Sequence, residues 1–275
     1  MPRLFPYSAA VESRTRPCKA PYFNGWVPRS DDALCAELAR LAYCGGATVQ
    51  AGLAAVSMTL VAEFSGPDGK GTNAYLAKGG SKAILAFRGT QDDDPTDVID
   101  DLRILPVPCA MGGHVHVGFS DAVARVWPAI KARLDGLGSS EILFTGHSLG
   151  AALATVAASL FTPKRLITFG SPRVGDAAFC TCLASRTTHD RYVNCCDLVA
   201  QVPPIPYQPA GRLRYINRDG EIHDNPTDSF MINDQMVAHA TYVRDYAWRF
   251  GNEVTRSLAD HGAINYVSAI AGAAK

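Results

Sequence analysis

The stretch from Glu141 to Leu160 constrains the fold of this chain most tightly. It reads as a short apolar strand, Glu141 to Thr145, then Gly146-His147-Ser148-Leu149-Gly150, then an Ala-rich helix from Leu149 to Leu160. The two glycines lack the Cβ atoms that would block a sharp reversal, so a strand can run directly into a helix folded back on it. The neighbouring sequence repeats the alternation. Phe119, Val123, Val126, Ile130 and Leu134 form one helical stripe within Gly118 to Leu137, where Pro128 predicts a kink or a break. Leu166 to Phe169, Tyr192-Val193 and Tyr215-Ile216 continue the series as strands. Such alternation predicts an α/β fold, a mostly parallel central sheet with helices on both faces.

Upstream, Ser30 is placed to cap a helix. Asp31 and Asp32 follow in its first turn, Leu34, Leu38 and Leu41 recur at helical spacing, and Gly45-Gly46 ends it. Met58 to Phe64, Thr72 to Ala77 and Lys82 to Phe87 read as strands, with Pro67-Asp68-Gly69 turning between the first two. Residues 1–29, broken by Pro2, Pro6, Pro17, Pro21 and Pro28, read as an irregular arm, and residues 30–275 as one α/β domain.

Composition excludes several classes. The 275 residues are 47% apolar and 19% charged, which is not the signature of disorder. Basic and acidic residues balance at 26 each, leaving no excess positive charge to drive nucleic-acid binding. No apolar run is long enough for a transmembrane helix. No secretory signal is read at the N-terminus, so the chain as it stands points to the cytoplasm, or to secretion if it is a mature form. The eight cysteines read as scattered small buried thiols. Cys180 and Cys182 point to different faces of a helix, and a disulfide between neighbours Cys195 and Cys196 is strained. No Cys/His cluster has zinc spacing, no phosphate-cradling loop or dinucleotide fingerprint appears, and the acidic run 92–101 lacks EF-hand spacing. No cofactor and no metal are expected.

The elbow around Ser148 is a place for chemistry. A serine there stands exposed at the carboxyl edge of the sheet, with the free N–H groups of a helix aimed at the same spot. His147 is not its base: neighbouring side chains diverge at a tight turn, so it is expected to pack beneath the elbow. Phe87-Arg88-Gly89-Thr90, Val115-His116-Val117-Gly118-Phe119, the Ser148 elbow, Phe169-Gly170-Ser171-Pro172-Arg173-Val174-Gly175, and Asp197-Leu198-Val199 followed by Pro203-Pro204 occur in that order. Together they resemble the class 3 lipases, fungal-type α/β-hydrolases that cleave acylglycerol esters. The resemblance covers roughly residues 30–270.

The chain order of this fold is serine, then carboxylate, then histidine. Asp197 follows the strand Tyr192-Val193-Asn194 and matches the family's triad aspartate. Asp190 is expected before the strand, and Asp176 as a helix N-cap. Among the later histidines, His223 sits beside the Asp219-Gly220 turn and His239 within a helical stretch, whereas His261 precedes the last helix, Tyr266-Val267-Ile270. His261 is favoured as base, with His239 the alternative. A histidine base must be neutral, so activity should fall on the acid side of roughly pH 6–7. The oxyanion donors implied are the backbone N–H of Leu149 and, by resemblance, Thr90. The resemblance also implies a lid at about 91–105. Here it carries six aspartates and the short apolar stripe Val98, Ile99, Leu102 and Leu105. That composition points to short- to medium-chain esters and at most transient contact with a lipid surface. Phospholipids, aryl esters, acyl transfer to alcohols and an inactive lipid-binding relative remain as alternatives.

Overall fold

The computed structural model describes residues 3–15, 26–66, 73–89, 105–138 and 140–273. Its main sheet has the order β1-β2-β3-β6-β7-β8-β9-β10 among the described residues. These strands are β1 Thr59–Ser65, β2 Asn73–Gly79, β3 Lys82–Phe87, β6 Glu141–His147, β7 Arg165–Phe169, β8 Thr188–Asn194, β9 Arg212–Ile216 and β10 Ile222–Asp224. From β3 through β9 every pair is parallel, and β1-β2-β3 and β9-β10 add antiparallel edges. Two short strands, β4 Pro106–Pro108 and β5 His114–His116, pair separately.

Among the described residues the α-helices are α1 Val11–Thr15, α2 Asp31–Leu41, α3 Gly46–Ala55, α4 Val117–Asp135, α5 Leu149–Leu160, α6 Ala177–Ala184, α7 Asp228–Asp245, α8 Arg256–Asp260 and α9 Ala263–Ala273. They divide over both faces as predicted, because successive side chains of a strand point oppositely. Phe144 of β6 packs with Phe119, Val123 and Ile130 of α4 and with Leu153 of α5. Its neighbour Leu143 packs on the other face with Leu38 of α2 and Val267 and Ile270 of α9. Helix α5 is buried from Gly150 to Ser159, which explains its Ala-rich composition: a helix pressed against a sheet and another helix has no room for larger side chains.

Several sequence expectations need correction. The arm is not wholly irregular: it contains α1, and Ala10 bridges Asn252. It is tied to α9 by Leu4 N–H to Ser268 O at 2.7 Å and Ser8 N–H to Asn265 Oδ1 at 2.9 Å. Helix α2, capped by Ser30 as predicted, stops at Leu41 and not at the glycines. Gly45 instead caps α3, a helix the mixed apolar pattern of Gly46–Ala55 did not announce. Helix α4 runs through Pro128 without a break. Asp190 lies inside β8, paired with Arg165 and Arg212, both at 2.6 Å. Burial pushes its carboxyl up, but these two guanidiniums outweigh that and hold it below the ordinary range. Cys44 is disulfide-bonded and so is not a free thiol. The Pro67-Asp68-Gly69 turn, Thr90 and all of the 91–105 segment except Leu105 lie outside the described residues.

Candidate active site

Ser148 occupies the junction between β6 and α5 with φ 58° and ψ −131°. A side-chain-bearing residue rarely adopts this conformation, and here the surroundings hold it. The Ser148 N–H donates to Phe169 O at 3.0 Å. A Cβ at Gly146 would collide with the Gly150 carbonyl, and one at Gly150 with the Phe87 carbonyl. The two glycines of the motif therefore admit the close approach of β6, α5 and β3 that makes the turn, but Ser148 itself is only 4% exposed and does not stand open as its sequence context predicts. Leu149 is the first residue of α5, so its N–H has no acceptor within the helix and is available beside Ser148 Oγ.

Asp197 and His261 converge on that serine. His261 Nε2 lies 2.8 Å from Ser148 Oγ, and His261 Nδ1 lies 2.9 Å from Asp197 Oδ2. Asp197 is fully buried and follows β8 by a turn closed by its N–H on Asn194 O at 2.8 Å. Burial would raise its pKa, but the charge and hydrogen bond of His261, with the Tyr266 hydroxyl, hold it below the usual carboxylate range. An ionised Asp197 accepts from Nδ1–H, which leaves the Nε2 lone pair to accept the serine proton. His239, the alternative base, is exposed on α7. Asp176 caps α6 by accepting from the Phe179 N–H at 2.9 Å, as expected of it.

Three supports were not readable as such in the sequence. Gly170, at φ 56°, leaves room for the acid–base pair: a Cβ there would lie 2.7 Å from Asp197 Oδ2 and 3.2 Å from His261 Cε1. His147 packs under the elbow as expected, but it also ties the elbow to the base. Its Nε2–H donates to the His261 carbonyl at 2.7 Å, and its Nδ1 accepts from the Tyr43 hydroxyl at 2.8 Å. Burial, then the neighbouring His261, lowers its pKa to about 3, so the ring is neutral and this tautomer is kept. Tyr266 donates to Asp197 Oδ2 at 2.5 Å and accepts from the Asn194 N–H at 3.0 Å. Only the convergence of β8, α8 and α9 brings these groups together. We expect Tyr266→Phe to lower turnover by about 10-fold, the scale of one hydrogen bond to a charged group. Steady-state kinetics and a melting curve on the same sample check this; an unchanged rate would remove Tyr266 from the support of Asp197.

His261 sits at the C-cap of α8, next to Asp260. Asp260 accepts from Arg256 Nε at 3.1 Å, from the Cys196 N–H at 3.0 Å and from the Tyr7 hydroxyl of the arm at 2.8 Å. The arm thus reaches the histidine loop directly.

Comparison with known proteins bears on family and fold. Residues 84–207 match the family model described as Lipase (class 3). The chain is similar to a lipase of Rhizomucor miehei, 34% identical over 154 residues that cover 50% of this chain and 42% of that protein. It is also similar to the secreted mono- and diacylglycerol lipase 1 of Fusarium solani, 39% identical over 103 residues covering 34% of this chain and 31% of that protein. The matched segments span less than half the length of these curated relatives. Among solved structures, lipase II from Rhizopus niveus matches at a TM-score of 0.59 and 24% identity, over 68% of this chain and 80% of that chain. That likeness shows a shared α/β-hydrolase fold.

Proposed function

We propose that the chain, similar over residues 84–207 to the class 3 lipases, hydrolyses carboxylic esters of the acylglycerol type through an acyl-enzyme on Ser148. The observation that carries this reading is the contact chain Ser148 Oγ, His261 Nε2 at 2.8 Å, His261 Nδ1, Asp197 Oδ2 at 2.9 Å. Ser148 Oγ attacks the ester carbonyl while His261 Nε2 takes its proton. The imidazolium, stabilised by Asp197, then gives that proton to the departing alcohol. Water enters in its place, loses a proton to His261 and releases the carboxylic acid. The Leu149 N–H and Thr90 donate to the oxyanion. The catalytic unit is residues 30–275, with residues 91–105 as its lid; no metal or cofactor takes part, and the partner is an ester or lipid substrate.

The substrates are short- to medium-chain dispersed esters. Support comes from the six aspartates of residues 92–101, whose charge repels anionic surfaces and fatty-acid products, and from the small apolar area beside them. The test is a series of p-nitrophenyl esters of rising acyl length, with emulsified triglyceride and phospholipid alongside. Butyrate esters should be cleaved faster than long-chain emulsions, without a jump in rate above the solubility limit. Faster cleavage of long-chain triglyceride would overturn the chain-length assignment. Stoichiometric labelling of Ser148 by a serine-reactive phosphonate distinguishes an enzyme from an inactive lipid-binding relative.

A further inference from the structure

The residues immediately before Asp197 are two cysteines, and the ester-hydrolase reading assigns them nothing. Cys195 is fully buried and Cys196 is 4% exposed, under α7. Their sulfurs lie 3.6 Å apart. Cys195 has φ 33°, a left-handed conformation that side-chain-bearing residues avoid unless neighbours impose it. Here its N–H donates to Ile216 O at 2.8 Å, and its carbonyl accepts from Gln235 Nε2 at 2.8 Å. The Cys195 thiol donates to Asp234 Oδ2 at 3.2 Å, a buried carboxylate that also accepts from Arg218 Nη1 at 2.8 Å. The pair thus stands preassembled with a proton acceptor.

We propose that Cys195 and Cys196 form a redox modification site, oxidised by hydrogen peroxide to a disulfide between neighbours that withdraws Asp197 from His261. Its effect on rate rests on the assignment of Asp197 above. In the first step the sulfur of Cys196, the less deeply buried residue of the two, attacks one peroxide oxygen: an S–O bond forms, the O–O bond breaks, and the departing hydroxide takes the thiol proton and leaves as water, giving a sulfenic acid. The Cys195 sulfur then attacks that sulfur. The S–S bond forms, the S–O bond breaks, and the Cys195 proton passes through Asp234 to the departing hydroxide as a second water. Two thiols and one peroxide yield one disulfide and two waters.

Bond formation draws the sulfurs from 3.6 Å to about 2.05 Å. Two tethers must absorb this movement: the Cys195 carbonyl on Gln235, and the Cys196 N–H on Asp260 beside the base. The next residue along the chain is Asp197. In a close-packed interior such a shift reaches the backbone, and misplacement by an ångström costs about 10²-fold in rate. Strain in the product keeps it reducible, so the change is reversible. A cation at the same place fits less well. Cys195, Cys196 and Asp260 do come within 4.8 Å of one another, but Asp260 is already engaged by Arg256, Tyr7 and the Cys196 N–H.

The experiment treats the full chain with hydrogen peroxide and reads both the mass of the peptide containing residues 195–196 and hydrolysis of p-nitrophenyl butyrate. We expect loss of two hydrogen atoms from that peptide, a fall in rate of about 10²-fold, and recovery of both with dithiothreitol. Cys196→Ala and Cys195→Ser should each keep their rate under the same treatment. An unchanged peptide mass in the wild type, or the same inactivation in the variants, would overturn the proposal. So would oxidation of the pair with an unchanged rate. The mass reading needs no substrate and no variant. An untreated enzyme without activity but with the expected mass loss would refute the hydrolase assignment while supporting the modification site.

Discussion

Ser148→Ala and His261→Ala should each lower turnover of a short-chain p-nitrophenyl ester by about 10⁶-fold, and the double variant should lose little more. The reason is that serine and histidine act as a unit. Without the base, Ser148 Oγ keeps its proton; without the hydroxyl, His261 Nε2 has nothing to activate at 2.8 Å. Asp197→Ala should cost less, about 10⁴-fold, because it removes orientation and imidazolium stabilisation and leaves nucleophile and base in place. Substrate affinity should change little in all of them. Circular dichroism on the same preparations would separate loss of chemistry from loss of fold. If His261→Ala kept its rate while His239→Ala lost it, the base would be misassigned, and the proximity of His261 to Asp197 would have no catalytic meaning.

Mild acid should weaken the folded state strongly through two buried histidines. His189 lies on β8, with Nε2 2.8 Å from Thr168 Oγ1 and Nδ1 unpartnered, and burial lowers its pKa to about 3. His147 is lowered to about 3 for the same reason. In the unfolded chain both titrate near the ordinary value of about 6.5. Between these limits the unfolded state binds more protons than the folded one, so stability falls as pH falls. The loss begins near the unfolded value and continues until the folded value is reached. Between pH 8 and pH 5 each histidine contributes a loss of about 2 kcal/mol, together about 4 kcal/mol. Urea unfolding at the two pH values measures this. His189→Gln isolates one share: its pH dependence should be shallower than that of the wild type by about 2 kcal/mol. Parallel profiles would mean that His189 is protonated in the fold or exposed in solution. His147 is unsuitable for this comparison, because changing it also disturbs the tie to His261.

The two predictions draw on different depths of information. The turn at Ser148 was legible locally, since Gly-His-Ser-Leu-Gly between an apolar strand and an Ala-rich helix leaves few conformations for it. Asp197 and His261 were legible through chain order and their positions after a strand and before the last helix. The neutrality of His189 was not legible, because nothing in Thr-His-Asp-Arg says that β8 is central and covered on both faces. Asp190 misled for the same reason: a charged residue reads as a strand boundary unless its partners Arg165 and Arg212, 25 and 22 residues away, are known. Helix α3 escaped notice because its buried residues are few, Val49 and Leu53, and its glycines read as an ending when one of them is a cap.

What the sequence determined by itself was what depends on neighbours along the chain. The alternation of strands and helices, the caps at Ser30 and Asp176, the elbow at Ser148 and the glycines that permit it all follow from side-chain size, periodicity and local hydrogen bonding. Tertiary structure alone decided what depends on distance across the fold. It set the Ser148–His261–Asp197 contacts, the Tyr266 hydroxyl on Asp197, and the tie from Tyr43 through His147 to the His261 carbonyl. It also set the grip of the arm on Asp260. These groups lie as many as 253 residues apart in the chain, and only the packing of β6, β8, α8 and α9 brings them within hydrogen-bond reach. Hydrogen bonds and burial depend on separation in space, and a linear pattern does not encode that separation.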